Sequence, residues 1–272
     1  MPVLSIITPV LNCAETIDEA IASVPPGGLD GQVEHVVIDG GSTDGTVERL
    51  AAAPHVRYLS EPDRGLSDAM NKGLAMASGE WVGWLNGDDF YLPGGLERVL
   101  EAIRSDPGAL WITGVCKIVD GSGAEIRGPV TRYKRFLLRH YSRRSLLVQN
   151  FVAAPATFVR REELLACGGF DERFKYSMDY DVWLRLAERA DPVVLDEPLA
   201  AFRMAGESLS MTGFQQQFEE HAQNAREHGH GHPLAVAANR VTSRLIVLAY
   251  RAMRLARRSP AAAGRAGPGP RP

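Results

Sequence analysis

The chain has 272 residues, 45% of them hydrophobic, with a formal net charge of −3 at pH 7, enough apolar material for one large core or two small ones. The charge is uneven: no Asp or Glu follows Glu227, whereas Arg240, Arg244, Arg251, Arg254, Arg257, Arg258, Arg265 and Arg271 do. An acidic body with a basic tail excludes a general nucleic-acid binder, whose positive surface belongs on the fold itself.

The first half alternates between two periodicities. Continuous apolar runs predict strands at 3–8, 33–39, 56–60 and 81–85, and helical spacing follows each of them at 15–24, 44–52, 67–77 and 94–104. Strands buried on both faces read as unbroken apolar runs, so this is the pattern of a mainly parallel, Rossmann-like α/β sheet with crossover helices. Farther on, strands are expected at 110–119, 124–127, 156–159 and 193–195, and helices at 161–167 and 180–188. Between them lies a basic segment carrying Arg132, Lys134, Arg135, Arg139, Arg143 and Arg144. Two C-terminal helices are expected at 214–228 and 234–258, joined by a flexible Gly/His linker with His228, His230 and His232. Residues 259–272, rich in Pro, Gly and Ala, read as disordered.

Three cysteines, Cys13, Cys116 and Cys167, without C-x-x-C spacing give neither a zinc site nor a disulfide framework and suit a reducing compartment. The N-terminal MPVLSIITPVLN lacks the basic start of a signal peptide, and no run approaches the roughly 18 apolar residues of a membrane span. The expected location is the cytoplasm.

Ligands of open parallel sheets bind outside the carboxyl ends of the strands. Here those ends carry Thr8-Pro9 and Asn12, then Asp39 with GGSTDGT, then Glu61-Pro62-Asp63-Arg64, and finally Asn86-Gly87-Asp88-Asp89. The glycine-rich turn also suits a helix cap at Thr43 or Asp44 but lacks the spacing of a dinucleotide fingerprint or a P-loop. Asp39 suits hydrogen bonds from a nucleobase or ribose. Adjacent carboxylates at the end of a buried strand repel each other, and a cation would offset that; Asp88 and Asp89 suit Mg²⁺ or Mn²⁺ shared with a substrate diphosphate.

These stretches, SIITPVLN, VVIDGGSTDGT, SEPDRGLSDAMNKGLAMASGEWVGWLNGDD, PATFVRREELLACGGFDERF and MDYDVWLRL, resemble in order and spacing the family 2 glycosyltransferases. The likeness spans about residues 3–205 and is nearest to the small, non-processive members. It implies a GT-A fold and inverting transfer from a nucleotide-diphosphate sugar of the UDP, dTDP or GDP type to a hydroxyl acceptor on a lipid, polysaccharide or secondary metabolite. Residues 1–110 would form the nucleotide-sugar half, 111–210 the acceptor and catalytic half, and 211–258 a helical extension.

By that resemblance Thr8, Pro9, Asn12, Asp39, Arg64, Asp68, Asn71, Asn86 and Gly87 belong to the donor site. Asn86 stands where the family has the first Asp of its D-x-D motif, so the metal falls to Asp88 with Asp89 assisting. Met178-Asp179 occupies the place of an E-D pair, which makes Asp179 the candidate base; as a bare helix start it would instead be an N-cap. Asp171, Asp181 and Arg203 belong to the acceptor side or its support. Many relatives carry a His two residues after an aromatic-Arg pair; here Phe202-Arg203 is followed by Ala205. The Q-x-x-R-W motif and membrane spans of processive synthases are absent from the sequence.

Two other classes share parts of this pattern. A nucleotidyltransferase would carry a Gly-rich basic loop after its first strand, and TPVLNCAET has no Gly, Lys or Arg. A non-catalytic nucleotide-sugar or carbohydrate-binding module is the third reading. In the tail, Val241, Leu245, Leu248, Ala252 and Leu255 recur at 4-3-4-3 spacing beside a stripe of arginines. That stripe packs either on the catalytic domain or a second subunit as a homodimer, or, over 239–258, on an anionic membrane at its inner face.

Overall fold

A computed structural model describes residues 2–25, 28–204 and 213–258, with the side chains of the last helix described as far as residue 248. Ala205, the tail 259–272 and the side chains of Arg251, Ala252, Arg254, Leu255, Arg257 and Arg258 therefore lie outside the described residues.

The elements run β1 (Leu4–Val10), α1 (Ile17–Ala22), an irregular turn α2 (Gly28–Gly31), β2 (Val33–Asp39), α3 (Thr46–Ala51), β3 (Val56–Ser60), α4 (Leu66–Met76), β4 (Trp81–Trp84), β5 (Phe90–Tyr91) and α5 (Gly95–Ser105). There follow β6 (Trp111–Val119), α6 (Gly128–Arg139), α7 (Arg143–Val148), β7 (Thr157–Arg160), α8 (Arg161–Ala166), α9 (Met178–Ala187), β8 (Val193–Arg203), α10 (Phe214–His228) and α11 (Pro233–Arg258).

One sheet holds these strands in the order β3-β2-β1-β4-β7-β6-β8-β5. The first four are parallel, as the apolar runs predict, while β7 inserts antiparallel between β4 and β6. Central β1 is buried at every position; edge strand β3 exposes Arg57, Tyr58 and Ser60. Helices cover both faces. On one, Trp111 stacks on Trp183 at 6.0 Å amid Phe151, Leu184 and Leu186; on the other, Leu4, Ile6, Trp81 and Phe158 pack under Ile17 and Ile21.

The structure departs from the sequence reading in several places. The strand expected at 124–127 is a single bridge between Val119 and Glu125. The basic segment folds into α6 and α7, the latter opened by a Ser142–Ser145 capping box. Strand β8 does not stop at Leu195 but continues to Arg203, with register shifts opposite Gly114 to Cys116. Pro198 stands in that stretch and has no N–H to give the ladder, which makes the strand look broken in sequence. The Gly/His linker is anchored, because His228 Nε2 lies 2.8 Å from Asp181 Oδ1.

Of the coverings expected for the apolar stripe of the terminal helix, the catalytic domain is the one that the structure contradicts. Val241, Leu245 and Leu248 are 58%, 60% and 59% exposed, while polar Asn239 and Ser243 are buried on the face turned to the fold. Asn239 Nδ2 donates to the Leu147 and Val148 carbonyls at 3.1 and 3.2 Å, satisfying the open C-terminal end of α7.

Candidate active site

The strand order reverses at β1: β2 and β3 lie to one side, β4 to the other. The exits of β1 and β4 therefore flank a topological switch point, where an open α/β sheet leaves a crevice. A cleft of about 1570 Å³ opens there. It is lined by Pro9, Asn12, Arg64, Asp68, Asn86, Gly87, Asp88 and Asp179 among the residues singled out from sequence. Thr8, Asp39, Asn71, Asp89, Asp171, Asp181 and Arg203 are not part of its wall.

Most of the second group are occupied in holding the first in place. Buried Thr8 meets His35 Nε2 at 2.8 Å. Asp39 has no exposed surface; its carboxylate accepts from the Gly41 and Ser42 amides at 3.2 and 3.1 Å and from the hydroxyls of Ser42 and Ser60. It shapes the 40–45 loop, which in turn binds the β1 exit. Asn12, at a positive φ of 54°, accepts from the Thr43 amide at 3.0 Å, and Asp44 from the Ala14 amide at 2.9 Å. Asn71 bonds both the N–H and C=O of Phe170, at 2.9 and 2.8 Å, locking α4 to the Gly168-Gly169 turn. Asp68 pairs with Arg64 at 2.7 Å, which holds its carboxyl down at about 2.

The adjacent carboxylates of the β4 exit have different surroundings. Asp89 is 1% exposed and points away from the cleft, accepting the Arg203 N–H at 2.9 Å and the Asn86 amide at 2.7 Å. Arg203, itself 4% exposed, is the positive group that compensates this turn. Its guanidinium donates to the carbonyls of Asp88, Asp120 and Gly121 at 3.0, 3.2 and 2.7 Å and pairs with Glu19. Burial pushes Asp89 well above the carboxylate range, with the neighbouring Asp88 charge adding to it.

Asp88 lines the cleft, its carboxylate accepts nothing from another described residue, and burial raises its pKa. An under-compensated carboxylate on a wall built for a ligand fits a divalent cation whose remaining shell is water and phosphate oxygen. Asp88 is the residue that would hold it, since Asp89 and Asn86 are engaged elsewhere. Among the described residues no group of three or more His, Cys, Asp or Glu side chains forms a protein-only metal cage. Gly87 keeps the turn tight: a Cβ there would stand 2.7 Å from Val10 Cγ1.

Asp179 is in the first turn of α9, whose N-cap is Ser177, so it is not the cap that a bare helix start would make it. That end of the helix is served from α10: Glu220 accepts the Tyr176 and Ser177 amides at 2.8 and 3.0 Å, and Asn224 donates to the Ser177 carbonyl at 3.1 Å. The Asp179 carboxylate accepts the Tyr180 N–H at 2.7 Å and the Asn150 amide at 3.5 Å, with one edge open to the cleft. Burial lifts its pKa to about 6, partly opposed by Lys134. Behind it, Asp181 is 3% exposed and clamped between Arg185 at 2.5 Å and His228. Asp171 pairs with Arg173 at 2.7 Å in the turn before the helix.

The cleft also takes residues to which the sequence reading gave no site role: Thr131, Lys134, Asn150 and, from the C-terminal extension, Gln217 and His221. Thr131 and Lys134 are three apart, the spacing of one helix face, which could have been read from sequence had α6 been recognised. Glu220 and His221 carry no such local signal.

Comparison with known proteins accords with this architecture. The model of the family described as glycosyl transferase family 2 matches residues 5–169. A protein of Mycobacterium tuberculosis described as an uncharacterized glycosyltransferase is 32% identical over 210 residues, 75% of this chain and 76% of that one. Among solved structures, S. aureus TarS 1–349 in complex with UDP-GlcNAc superposes with a TM-score of 0.63 at 20% identity, over 82% of this chain and 66% of that one. Mannosyltransferase PcManGT from Pyrobaculum calidifontis, in complex with GDP-Man and Mn²⁺, gives 0.60 at 19% identity over 93% and 81%. At these identities the structural likeness is one of fold, the GT-A fold.

Proposed function

Since the chain belongs to glycosyl transferase family 2 and is a glycosyltransferase, we propose that it is an inverting, metal-dependent one that moves a sugar from a nucleotide-diphosphate sugar to an acceptor hydroxyl. The single observation that carries the proposal is that one cleft is lined both by the Asp88 carboxylate, which accepts from no other described residue, and by the half-buried carboxylate of Asp179. The complexes of TarS with UDP-GlcNAc and of PcManGT with GDP-Man and Mn²⁺ support a nucleotide-sugar donor and a divalent ion.

In this reading Pro9, Asn12, Arg64 and Asp68 bound the nucleotide end of the cleft, Asn86-Gly87 turns the chain so that Asp88 faces the diphosphate, and Thr8, Asp39, Asn71 and Asp89 hold that frame. Bound at Asp88, Mg²⁺ or Mn²⁺ would supply Lewis-acid stabilisation of the charge gathering on the departing diphosphate. Asp179 accepts the proton of the acceptor hydroxyl as its oxygen bonds to the anomeric carbon. The bond from that carbon to the diphosphate oxygen breaks on the opposite side, and a single displacement inverts the configuration. A carboxylate titrating near 6 is ionised at neutral pH yet more basic than an ordinary Asp, which favours proton transfer.

The exposed stripe Val241, Leu245 and Leu248, beside Arg240 and Arg244, supports peripheral contact with an anionic membrane surface and hence a lipid-linked acceptor. No helix among the described residues is long and apolar enough to cross a membrane. The core of the proposal is tested by assaying transfer from a panel of UDP-, dTDP- and GDP-sugars with Mn²⁺ or Mg²⁺, with and without chelator. Nucleotide-sugar turnover that is indifferent to chelation, or a retained anomeric configuration in the product, would refute it.

A further inference from the structure

Away from the β1–β4 switch point, the other end of the cleft has its own polar lining. It is built from α6, which packs on β6 and β8, from the segment before β7, and from α10 of the C-terminal extension. Thr131 and His221 are each 8% exposed, and Thr131 Oγ1 and His221 Nε2 find no hydrogen-bond partner. Buried polar atoms are nearly always paired, so two unpaired ones on one ligand-accessible wall point to a ligand that completes them. Lys134, one helical step from Thr131 and close enough for its charge to act on His221, lines the same wall and has no carboxylate in ion-pair contact among the described residues; the acids nearest in effect are the inert Cys116 thiol, which burial pushes up to about 12, and Asp179. His221 is held neutral by burial, at about 3, and as a neutral imidazole it can donate one N–H.

We propose that Lys134, Thr131 and His221 form an oxyanion subsite for the acceptor: a phosphate or carboxylate group carried on the molecule whose hydroxyl is presented to Asp179. The inference rests on the glycosyl-transfer reading for the identity of the cleft and adds to it the chemical class of the acceptor. Lys134 supplies the charge, while Thr131 and His221 supply neutral donors that fix the anion's position. Lys134 is close enough to Asp179 for their charges to interact, so it is assigned to the acceptor presented to that carboxylate and not to the donor diphosphate. The contribution of α10 gives the C-terminal extension a role at the site: it both caps the helix of Asp179 through Glu220 and closes the acceptor end through His221.

The test uses the full chain and two calorimetric titrations. In the first, glycerol 3-phosphate and glycerate are the anionic probes, with glycerol as the neutral control. In the second, UDP, dTDP and GDP are titrated with Mn²⁺. The subsite predicts saturable binding of at least one anionic probe, none of glycerol, and at least about a tenfold loss in Lys134→Gln, with nucleotide binding unchanged. The stronger of the two anions tells phosphate from carboxylate. Because Lys134 has no ion-pair partner to orphan, Lys134→Gln should fold; Thr131→Val, nearly isosteric, is the second variant and should weaken the same probe. No anion binding in the wild type, anion binding indifferent to both variants, or loss of nucleotide binding in Lys134→Gln each overturns the proposal. Failure of nucleotide binding in the wild type would count instead against the glycosyl-transfer reading.

Discussion

The carboxylate of Glu220 receives the backbone N–H of Ser177 at 3.0 Å, so a residue of the C-terminal extension holds the start of the helix that carries Asp179. The same oxygen takes the Tyr176 N–H at 2.8 Å, and Glu220 is 7% exposed. Charge-assisted bonds in such a setting are worth about 1.5–3 kcal/mol, and misplacing a catalytic group by about 1 Å can cost a hundredfold in rate. Glu220→Ala should therefore lower Tm and reduce kcat about 10–100-fold while leaving the donor KM unchanged. Steady-state kinetics with a thermal melt checks it; an unchanged kcat would mean that α10 does not position the base.

Asp179→Asn should lower kcat by about 10²–10⁴, the usual worth of a general base, with nucleotide binding intact. In the wild type, kcat/KM should rise as pH increases through about 6, because only the ionised carboxylate accepts the proton. The stability effect has the opposite sense. The pKa is raised on folding, so between its ordinary value and about 6 the unfolded chain has lost this proton while the folded one keeps it, and stability falls as pH rises through that window. Removing the charge should thus leave Tm at pH 7.5 equal or higher, which separates lost catalysis from lost folding in one melt.

The neighbours Asp88 and Asp89 should separate cleanly. The Asp88 carboxylate accepts from no other described residue and faces the cleft, so Asp88→Asn should keep its Tm yet lose activation by Mn²⁺. Asp89 is 1% exposed and pairs with the Arg203 N–H, so Asp89→Ala strands a buried donor and should cost about 1–3 kcal/mol. Chelation should abolish transfer in the wild type, and added Mn²⁺ should restore it there but not in Asp88→Asn. Equal Tm losses in both variants would contradict the division of labour.

What was legible in the sequence was whatever a local pattern encodes. Strand β2 falls on the residues expected of it because a strand covered by helices must be mostly apolar along its length. The strand exits mark the cleft because a parallel sheet gathers its carboxyl ends at one edge. Helix α6 escaped because Arg132, Lys134, Arg135 and Arg139 are interleaved with its apolar residues, so the segment reads first as a basic run. The pairing of Arg203 with the Asp88-Asp89 turn and of Glu220 with Ser177 joins residues far apart in the chain, and no periodicity records such contacts. In α11 the pattern was visible but not which surface covers it: the apolar stripe faces away from the catalytic domain, and polar Asn239 makes the anchoring bonds.

That outward stripe carries its own prediction. Val241, Leu245 and Leu248 lie on one exposed face, each worth about 1.5–3 kcal/mol if fully buried, and basic residues beside an anionic surface add about 1 kcal/mol each. The full chain should co-sediment with vesicles containing anionic lipid and much less with neutral ones, and added salt should weaken the binding. The combined change Val241→Ser, Leu245→Ser and Leu248→Ser should reduce it at least tenfold while leaving Tm nearly unchanged, since Asn239 and Ser243 still anchor the helix from its other side. Truncating the helix would be a poorer experiment, because it would also uncap α7. Vesicle binding equal in the triple variant and the wild type would remove the membrane from the account and leave the stripe to a second copy of the chain, which light scattering would then detect as a concentration-dependent dimer.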